Sequence, residues 1–84
     1  MIHVIAQPAQ IAQLLAASRR QVGLTQAEAA ARVGLSQSRL STLETDASAL
    51  TLEQLLILCG IYGLQLQLSD KSWPAMAAQS RIEW

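Results

Sequence analysis

The chain has 84 residues, with six basic and six acidic side chains and no formal net charge at pH 7. This length allows one small domain, whose core is marginal alone and is often helped by oligomerisation. One Cys and one His exclude the usual zinc sites and any disulfide within the chain. No apolar run reaches the ~20 residues of a membrane span, and no basic segment leads into a signal-peptide core. We therefore expect a cytoplasmic protein without a metal or other cofactor.

Residues 1–7 form a short, largely apolar N-terminal arm, which is either a strand or a packing arm. Pro8 suits the first turn of a helix, where its missing N–H would have no partner in any case. A helix is therefore predicted from Pro8 until Gly23 ends it. Its buried face, at spacings of three and four residues, is predicted to contain Ile11, Leu14, Leu15, Ser18 and Val22.

A second, shorter helix is predicted to begin at about Gln26. Thr25 and Glu28 have the spacing of a capping box, in which each side chain accepts a backbone hydrogen bond at a helix start. Gly34 is placed to end this helix after about two turns, because glycine tolerates the positive φ that is common there. The inward face is predicted to contain Ala29, Ala30 and Val33.

A third helix is predicted from about Gln37 to Glu44, with Ser36 as its N-cap. Leu40 and Leu43 form its apolar side. Its exposed side carries amide, hydroxyl and guanidinium groups in place of the usual Glu and Lys: Gln37, Ser38, Arg39, Ser41 and Thr42. Such groups hydrogen-bond to base edges and phosphates in the major groove. The second and third helices together therefore predict DNA binding.

The zero net charge weighs against this prediction, because a basic surface usually supplies the sequence-independent part of DNA affinity. However, four of the six basic residues lie between Arg19 and Arg39, whereas five of the six acidic residues lie at or beyond Glu44. Charge is thus segregated along the chain. For DNA binding, the electrostatic field near the second and third helices matters more than the net charge of the whole chain.

A fourth helix is predicted after a polar loop at residues 45–49. Thr51 and Gln54 form another capping box at its start. The helix is predicted to run to about Cys59 and to stop at Gly60.

The segment LQLQL at residues 64–68 alternates strictly between apolar and polar residues, which is typical of a strand with one buried face. A lone strand leaves its backbone unpaired. The partner strand is either the N-terminal arm or the same segment of a second subunit, so the pattern predicts a dimer. The side chains expected to form the dimer are Leu64, Leu66 and Leu68. Residues 69–84, which follow, have no sustained period and are predicted to be a flexible tail.

The span from Pro8 to Leu56 resembles the helix-turn-helix domain of phage repressors and the wider Cro/repressor-like (XRE) family. The resemblance implies an all-α fold over residues 8–68, with four to five compact helices and a short C-terminal strand that pairs across a dimer. The residues that carry it are Arg19, Gly23, Leu24, Thr25, Gln26, Glu28, Gly34, Leu35, Ser36 and Glu44.

A narrower resemblance is to the HipB group of antitoxins, which partner HipA-type kinase toxins. It depends on Pro8-Ala9-Gln10 at the start of the first helix, on the LQLQL segment, and on the terminal Glu83-Trp84. It implies a homodimer that binds palindromic operator DNA, represses its own operon and restrains a HipA-like kinase. The alternatives are a stand-alone phage-repressor-like regulator and an interaction protein that retains the fold as a scaffold.

The resemblance also implies individual DNA contacts. Gln26 would hydrogen-bond the DNA backbone and brace its neighbour in the third helix, which is the recognition helix of the motif. Gln37 would read a base, because a Gln can donate to and accept from adenine at once. Positions that match groove-facing residues are Ser38, Ser41 and Thr42. Ser36 and Arg39 are better placed for phosphates, although Ser36 stands where the antitoxins would have a Lys, which implies a different operator or weaker binding.

Two further roles follow from the resemblance. Arg19 and Glu44 match an ion pair between helices, with a phosphate contact as the alternative for Arg19. Trp84 is expected to anchor a partner protein, with packing on its own dimer as the alternative. We do not expect an enzyme, because the sequence has no cluster of titratable residues, no nucleotide-binding loop and no nucleophile with a plausible base.

Overall fold

The computed structural model describes residues 2–70 and contains four α-helices. They are α1 (Pro8–Gln21), α2 (Gln26–Val33), α3 (Gln37–Leu43) and α4 (Leu52–Tyr62). The loop predicted at residues 45–49 contains one turn of 3₁₀-helix at Ala47–Ala49. The prediction of an all-α helix-turn-helix domain is confirmed. None of the helices within residues 2–70 combines the length and apolarity needed to cross a membrane.

Side-chain caps set the starts of α2 and α4 as predicted. Thr25 Oγ1 accepts from the N–H of Glu28 over 3.1 Å, and Glu28 Oε1 accepts from the N–H of Thr25 over 3.0 Å. Thr51 and Gln54 repeat this arrangement at 3.1 and 3.0 Å. The side chains thus satisfy N–H groups that have no partner inside the helix, which is worth ~1 kcal/mol for a typical cap.

The end of α4 differs from the prediction. Gly60 lies inside the helix, which continues to Tyr62 and ends at Gly63 with φ +73°. A glycine inside a helix costs only ~1 kcal/mol relative to alanine. Continuing the helix by three residues beyond Cys59 places Tyr62 in the core, where it is 4% exposed. Burial of this large side chain outweighs the local preference of Gly60 to end the helix.

The core lies where α1, α2, α3 and α4 meet. Its fully buried members on α2 are Ala29 and Ala30, at 0% and 1% exposure, and their small side chains allow the neighbouring helices to approach closely. Val22 is 45% exposed, so its predicted burial is wrong. The reason is that α1 ends at Gln21 and the chain turns away through Gly23, which has φ +79°. The core cluster is Leu15, Ala29, Ala30, Leu40, Leu58 and Tyr62.

The segment after α4 does not form a strand in the single chain that residues 2–70 describe. Leu64 packs partly against the core, whereas Leu66 is 44% and Leu68 95% exposed. The N-terminal arm also lacks regular structure and leaves Ile2 and Val4 at 82% and 83% exposure. Within the described range no backbone hydrogen bond joins the arm to the LQLQL segment. The two apolar segments are therefore both available for contacts outside this chain.

Candidate nucleic-acid interface

A three-residue turn, residues 34–36, joins α2 to α3. Gly34 adopts φ +75°, and the N–H of Leu35 donates to the carbonyl oxygen of Ala30 over 2.9 Å. Leu35 packs against the core, and Ser36 Oγ accepts from the N–H of Arg39 over 3.1 Å. The turn thus sets the angle between the two helices through one glycine, one partly buried side chain and one cap.

The third helix has one buried and one exposed side. Leu40 and Leu43 are each 1% exposed, and they attach α3 to the core. All the polar side chains proposed from the sequence to contact DNA from this helix are exposed: Gln37, Ser38, Arg39, Ser41 and Thr42. A helix of seven residues therefore presents five hydrogen-bonding side chains to its surroundings.

Most of these side chains have their hydrogen-bonding capacity free. Within residues 2–70 the side chains of Gln37, Ser38 and Ser41 make no hydrogen bond, and the guanidinium of Arg39 has no carboxylate partner. The amide of Gln37 can both donate and accept, and the hydroxyls can do either. This chemistry suits the edge of an adenine or a phosphate oxygen.

Two hydroxyls are partly committed inside the protein. Thr42 Oγ1 donates to the carbonyl oxygen of Ser38 over 3.1 Å, so towards an outside ligand it offers lone pairs and a methyl group. Ser36 Oγ accepts from the N–H of Arg39, which leaves its O–H available as a donor. Of the two, only Ser36 keeps a donor for a phosphate.

An ion pair joins α1 to the end of α3. Arg19 Nε donates to Glu44 Oε2 over 2.6 Å, and Nη2 donates to Oε1 over 3.1 Å. The two side chains are only 10% and 7% exposed. Arg19 Nη1 also donates to the carbonyl oxygen of Leu24 over 2.8 Å. The guanidinium thus connects α1, the segment before α2 and the residue that ends α3.

The ionisation of the pair follows from these contacts. Burial alone would raise the pKa of the Glu44 carboxyl, but hydrogen bonds from Arg19 and Gln26 and the charge of Arg19 hold this pKa below its ordinary value. The hydrogen bond to Glu44 raises the pKa of Arg19 and outweighs the opposing effect of burial. Both groups are therefore charged at neutral pH, and Arg19 is occupied inside the protein rather than presented to a phosphate.

The side chain of Gln26 has a partner that sequence reasoning missed. Its Nε2 donates to Glu44 Oε1 over 3.0 Å, and the residue is half-buried. The resemblance implied that Gln26 braces its neighbour in the recognition helix, and in the structure it contacts Glu44, the residue that ends that helix. The two residues are 18 positions apart, and no local pattern in the sequence indicates this contact.

The surface charge around the motif is moderately positive. Residues 8–44 contain four basic and two acidic side chains. Because Arg19 and Glu44 neutralise each other, the exposed cations of this span are Arg20, Arg32 and Arg39. Trp84, which was proposed to bind a partner protein, lies outside the described residues. Leu66 and Leu68, which were proposed to form the dimer, are exposed after α4.

The fold and the exposed polar side of α3 define a helix-turn-helix DNA-binding protein. The chain belongs to the helix-turn-helix domain family, which matches residues 10–71. Within this family it is HipB-like, as its similarity to solved structures shows. No protein of curated function matches the chain.

Three solved structures document the similarity. A HipB variant in complex with an O2 20mer shares 29% identity, with a TM-score of 0.74, and covers 86% of this chain and 100% of its own. HipB in complex with an O4 20mer shares 28% identity, with a TM-score of 0.72, and covers 84% of this chain and 100% of its own. A structure described as MDT Protein shares 28% identity, with a TM-score of 0.73, and the same coverage of 84% and 100%.

Proposed function

We propose that this protein is a homodimeric, sequence-specific transcriptional repressor that acts as the antitoxin of a HipA-like kinase and represses its own operon. The observation that carries the proposal is the outer side of α3, where five polar side chains are exposed on a helix anchored by Leu40 and Leu43. The similarity to HipB in complex with O2 and O4 20mers, which we interpret as operator DNA, supports it.

The proposed mechanism of DNA binding divides the side chains by role. Gln37, Ser38, Ser41 and Thr42 contact base edges in the major groove, with Gln37 as the main reader. Gln26, Ser36 and Arg39 contact the DNA backbone and set the register of the helix. Because few cations face the DNA, the sequence-independent part of affinity is small, and binding depends strongly on base contacts.

The dimer is proposed to form through the LQLQL segment. Leu66 and Leu68 are exposed in the single chain, and a second copy of the same segment would pair the backbone and cover these side chains. Two copies related by a twofold axis would read a palindromic operator, with half-sites about one helical turn, ~34 Å, apart. A dimer would also make twice as many contacts with the DNA as one chain, which binds weakly alone.

The partnership with a kinase toxin is proposed from the similarity to HipB and from the residues Glu83 and Trp84. Trp is the residue type most enriched among interface hot spots, so Trp84 suits a partner pocket. In this scheme the protein has no catalytic activity of its own and acts in the cytoplasm.

The DNA-binding proposal is tested with a palindromic site from the promoter of the protein's own operon. We expect Gln37→Ala combined with Ser41→Ala to weaken binding by at least about tenfold, because a good bidentate base contact is worth ~1–3 kcal/mol. Gln13→Ala, an exposed substitution on α1, is the matched control and should leave affinity unchanged. Undiminished binding by the double variant would refute this readout.

The antitoxin proposal is tested with the product of the neighbouring gene. We expect this kinase-like product to be retained by the tagged full-length protein and lost when residues 81–84 are deleted. Binding to DNA without any retention would indicate a stand-alone regulator. Retention of the kinase-like product without any DNA binding would indicate an interaction protein that keeps the fold as a scaffold.

A further inference from the structure

We propose that Glu44 is a positioning residue for DNA binding, because its carboxylate holds the amide of Gln26 in place before the operator is bound. This inference rests on the proposed DNA-binding function. It assigns the pair of Arg19 and Glu44 a second role besides stabilising the fold.

The geometry places three donors around one buried carboxylate. Glu44 Oε2 accepts from Arg19 Nε at 2.6 Å, and Oε1 accepts both from Arg19 Nη2 at 3.1 Å and from Gln26 Nε2 at 3.0 Å. The Glu44 side chain is 7% exposed, so water competes little for these bonds. Hydrogen bonds to an ionised acceptor are about twice as strong as those between neutral groups. The Gln26 amide is therefore held firmly.

The position of Gln26 makes this bond important for DNA rather than for folding. Gln26 is the first residue of α2 and is half-buried, so its amide could instead hydrogen-bond to water at little cost to the fold. Arg19 alone supplies two bonds to the carboxylate and neutralises its charge. The bond from Gln26 is thus not needed to satisfy Glu44, and its main effect is to fix one side chain at the surface.

A fixed Gln26 presents a defined set of hydrogen-bonding atoms. With one Nε2 hydrogen directed to Glu44, the second hydrogen and Oε1 remain available. A side chain that is already immobilised loses less conformational freedom on binding, and this saving corresponds to about two- to tenfold in affinity per side chain. Glu44 also ends α3, so the same bond holds Gln26 in register with the recognition helix.

The test is a double-mutant cycle between Gln26→Ala and Glu44→Asp, with operator affinity and urea unfolding measured on each full-length variant. Aspartate keeps the negative charge for Arg19 but is one methylene shorter, so it can no longer reach both partners. We expect Gln26→Ala to weaken binding about two- to tenfold in the wild type and by less than about twofold in the Glu44→Asp protein. The effects of the two substitutions on the free energy of unfolding should instead be close to additive.

A second background keeps the test decisive if Glu44→Asp does not fold. The double variant Arg19→Met with Glu44→Met replaces the ion pair by apolar side chains of similar size, a change that buried pairs often tolerate. Gln26→Ala should again cost less than about twofold in affinity in this background. Gln13→Ala is the control and should have no effect in any background.

The outcomes separate this inference from the proposed function. If the wild type binds no site from its own promoter, the proposed function and this inference both fail. If the wild type binds and Gln26→Ala weakens binding equally in all backgrounds, only the positioning role of Glu44 is overturned. A wild-type affinity unaffected by Gln26→Ala would also overturn it.

Discussion

Arg19 and Glu44 are joined by two hydrogen bonds, from Nε to Oε2 over 2.6 Å and from Nη2 to Oε1 over 3.1 Å. The pair connects the last turn of α1 to the residue that ends α3, and both side chains are buried. The recognition helix is thus attached to the core by Leu40 and Leu43 and at its C-terminus by a charged contact. This contact makes the position of α3 depend on the charge of a single carboxylate, that of Glu44.

Removal of one partner should destabilise the fold strongly. We expect Glu44→Ala to lower the free energy of unfolding by ~3–5 kcal/mol, because it leaves the buried guanidinium of Arg19 without a counter-charge. The combined Arg19→Met and Glu44→Met variant should recover most of this loss. Urea unfolding followed by circular dichroism measures both. A Glu44→Ala loss below ~1 kcal/mol would show that solvent compensates the charge.

Acid should destabilise the protein through the same carboxylate. The pKa of Glu44 is lower in the folded chain than its ordinary value, so the folded state binds fewer protons than the unfolded state. The resulting stability is fully present above the unfolded pKa and is lost as pH falls through the folded pKa. We therefore expect the free energy of unfolding to decrease from about pH 5 downward.

The control for this pH dependence is the Arg19→Met and Glu44→Met variant. The free energy of unfolding of this variant should decrease less steeply than that of the wild type as the pH falls. Some decrease should persist, because backbone hydrogen bonds from Thr25 and Ser48 lower the pKa values of Glu28 and Asp46. Equal slopes in the variant and the wild type would contradict a role for Glu44 in acid unfolding.

Two glycines of one helix should respond oppositely to alanine. Gly60 lies inside α4, and a Cβ added there would meet no atom within 4 Å. Gly60→Ala should therefore raise the free energy of unfolding by ~0.5–1 kcal/mol. Gly63 has φ +73°, which is unfavourable for a residue with a Cβ, so Gly63→Ala should lower the free energy of unfolding by ~1–2 kcal/mol. Thermal unfolding of the two variants checks the position of the helix end, and effects of the same sign would contradict it.

The hydroxyl of Tyr62 should be dispensable. It is buried and has no hydrogen-bond partner among residues 2–70, and burial raises the pKa of this phenol. Tyr62→Phe removes an unpaired polar group without changing the volume of the ring. We expect the free energy of unfolding to rise by ~1 kcal/mol in urea titrations. A fall of similar size would mean that the hydroxyl makes a stabilising hydrogen bond.

The starts of the helices were predictable from the sequence because they depend on contacts between residues close in the chain. The capping boxes at Thr25 and Thr51 join residues three positions apart. The polar side of α3 was predictable for a related reason, because the spacing of Leu40 and Leu43 alone indicates which side of this helix faces the core.

Other features were not accessible because they depend on contacts between distant parts of the chain. The local signal at Gly60 predicted the end of α4 three residues too early, since it took no account of the burial of Tyr62. Alternation in LQLQL predicted a strand that pairs with the N-terminal arm or with a second copy; within residues 2–70 the arm does not pair with it, and pairing across a dimer stays a prediction.

The sequence by itself determined the helix order, the caps and the five polar side chains that α3 exposes, because local hydrogen bonds and helical periodicity are sufficient for these. The family resemblance already implied the pair of Arg19 and Glu44, but only the tertiary structure decided that Gln26 binds the same carboxylate, 18 residues away. These contacts form because packing of α1, α2 and α3 brings three distant side chains to one buried charge. No periodicity in the sequence encodes that meeting point.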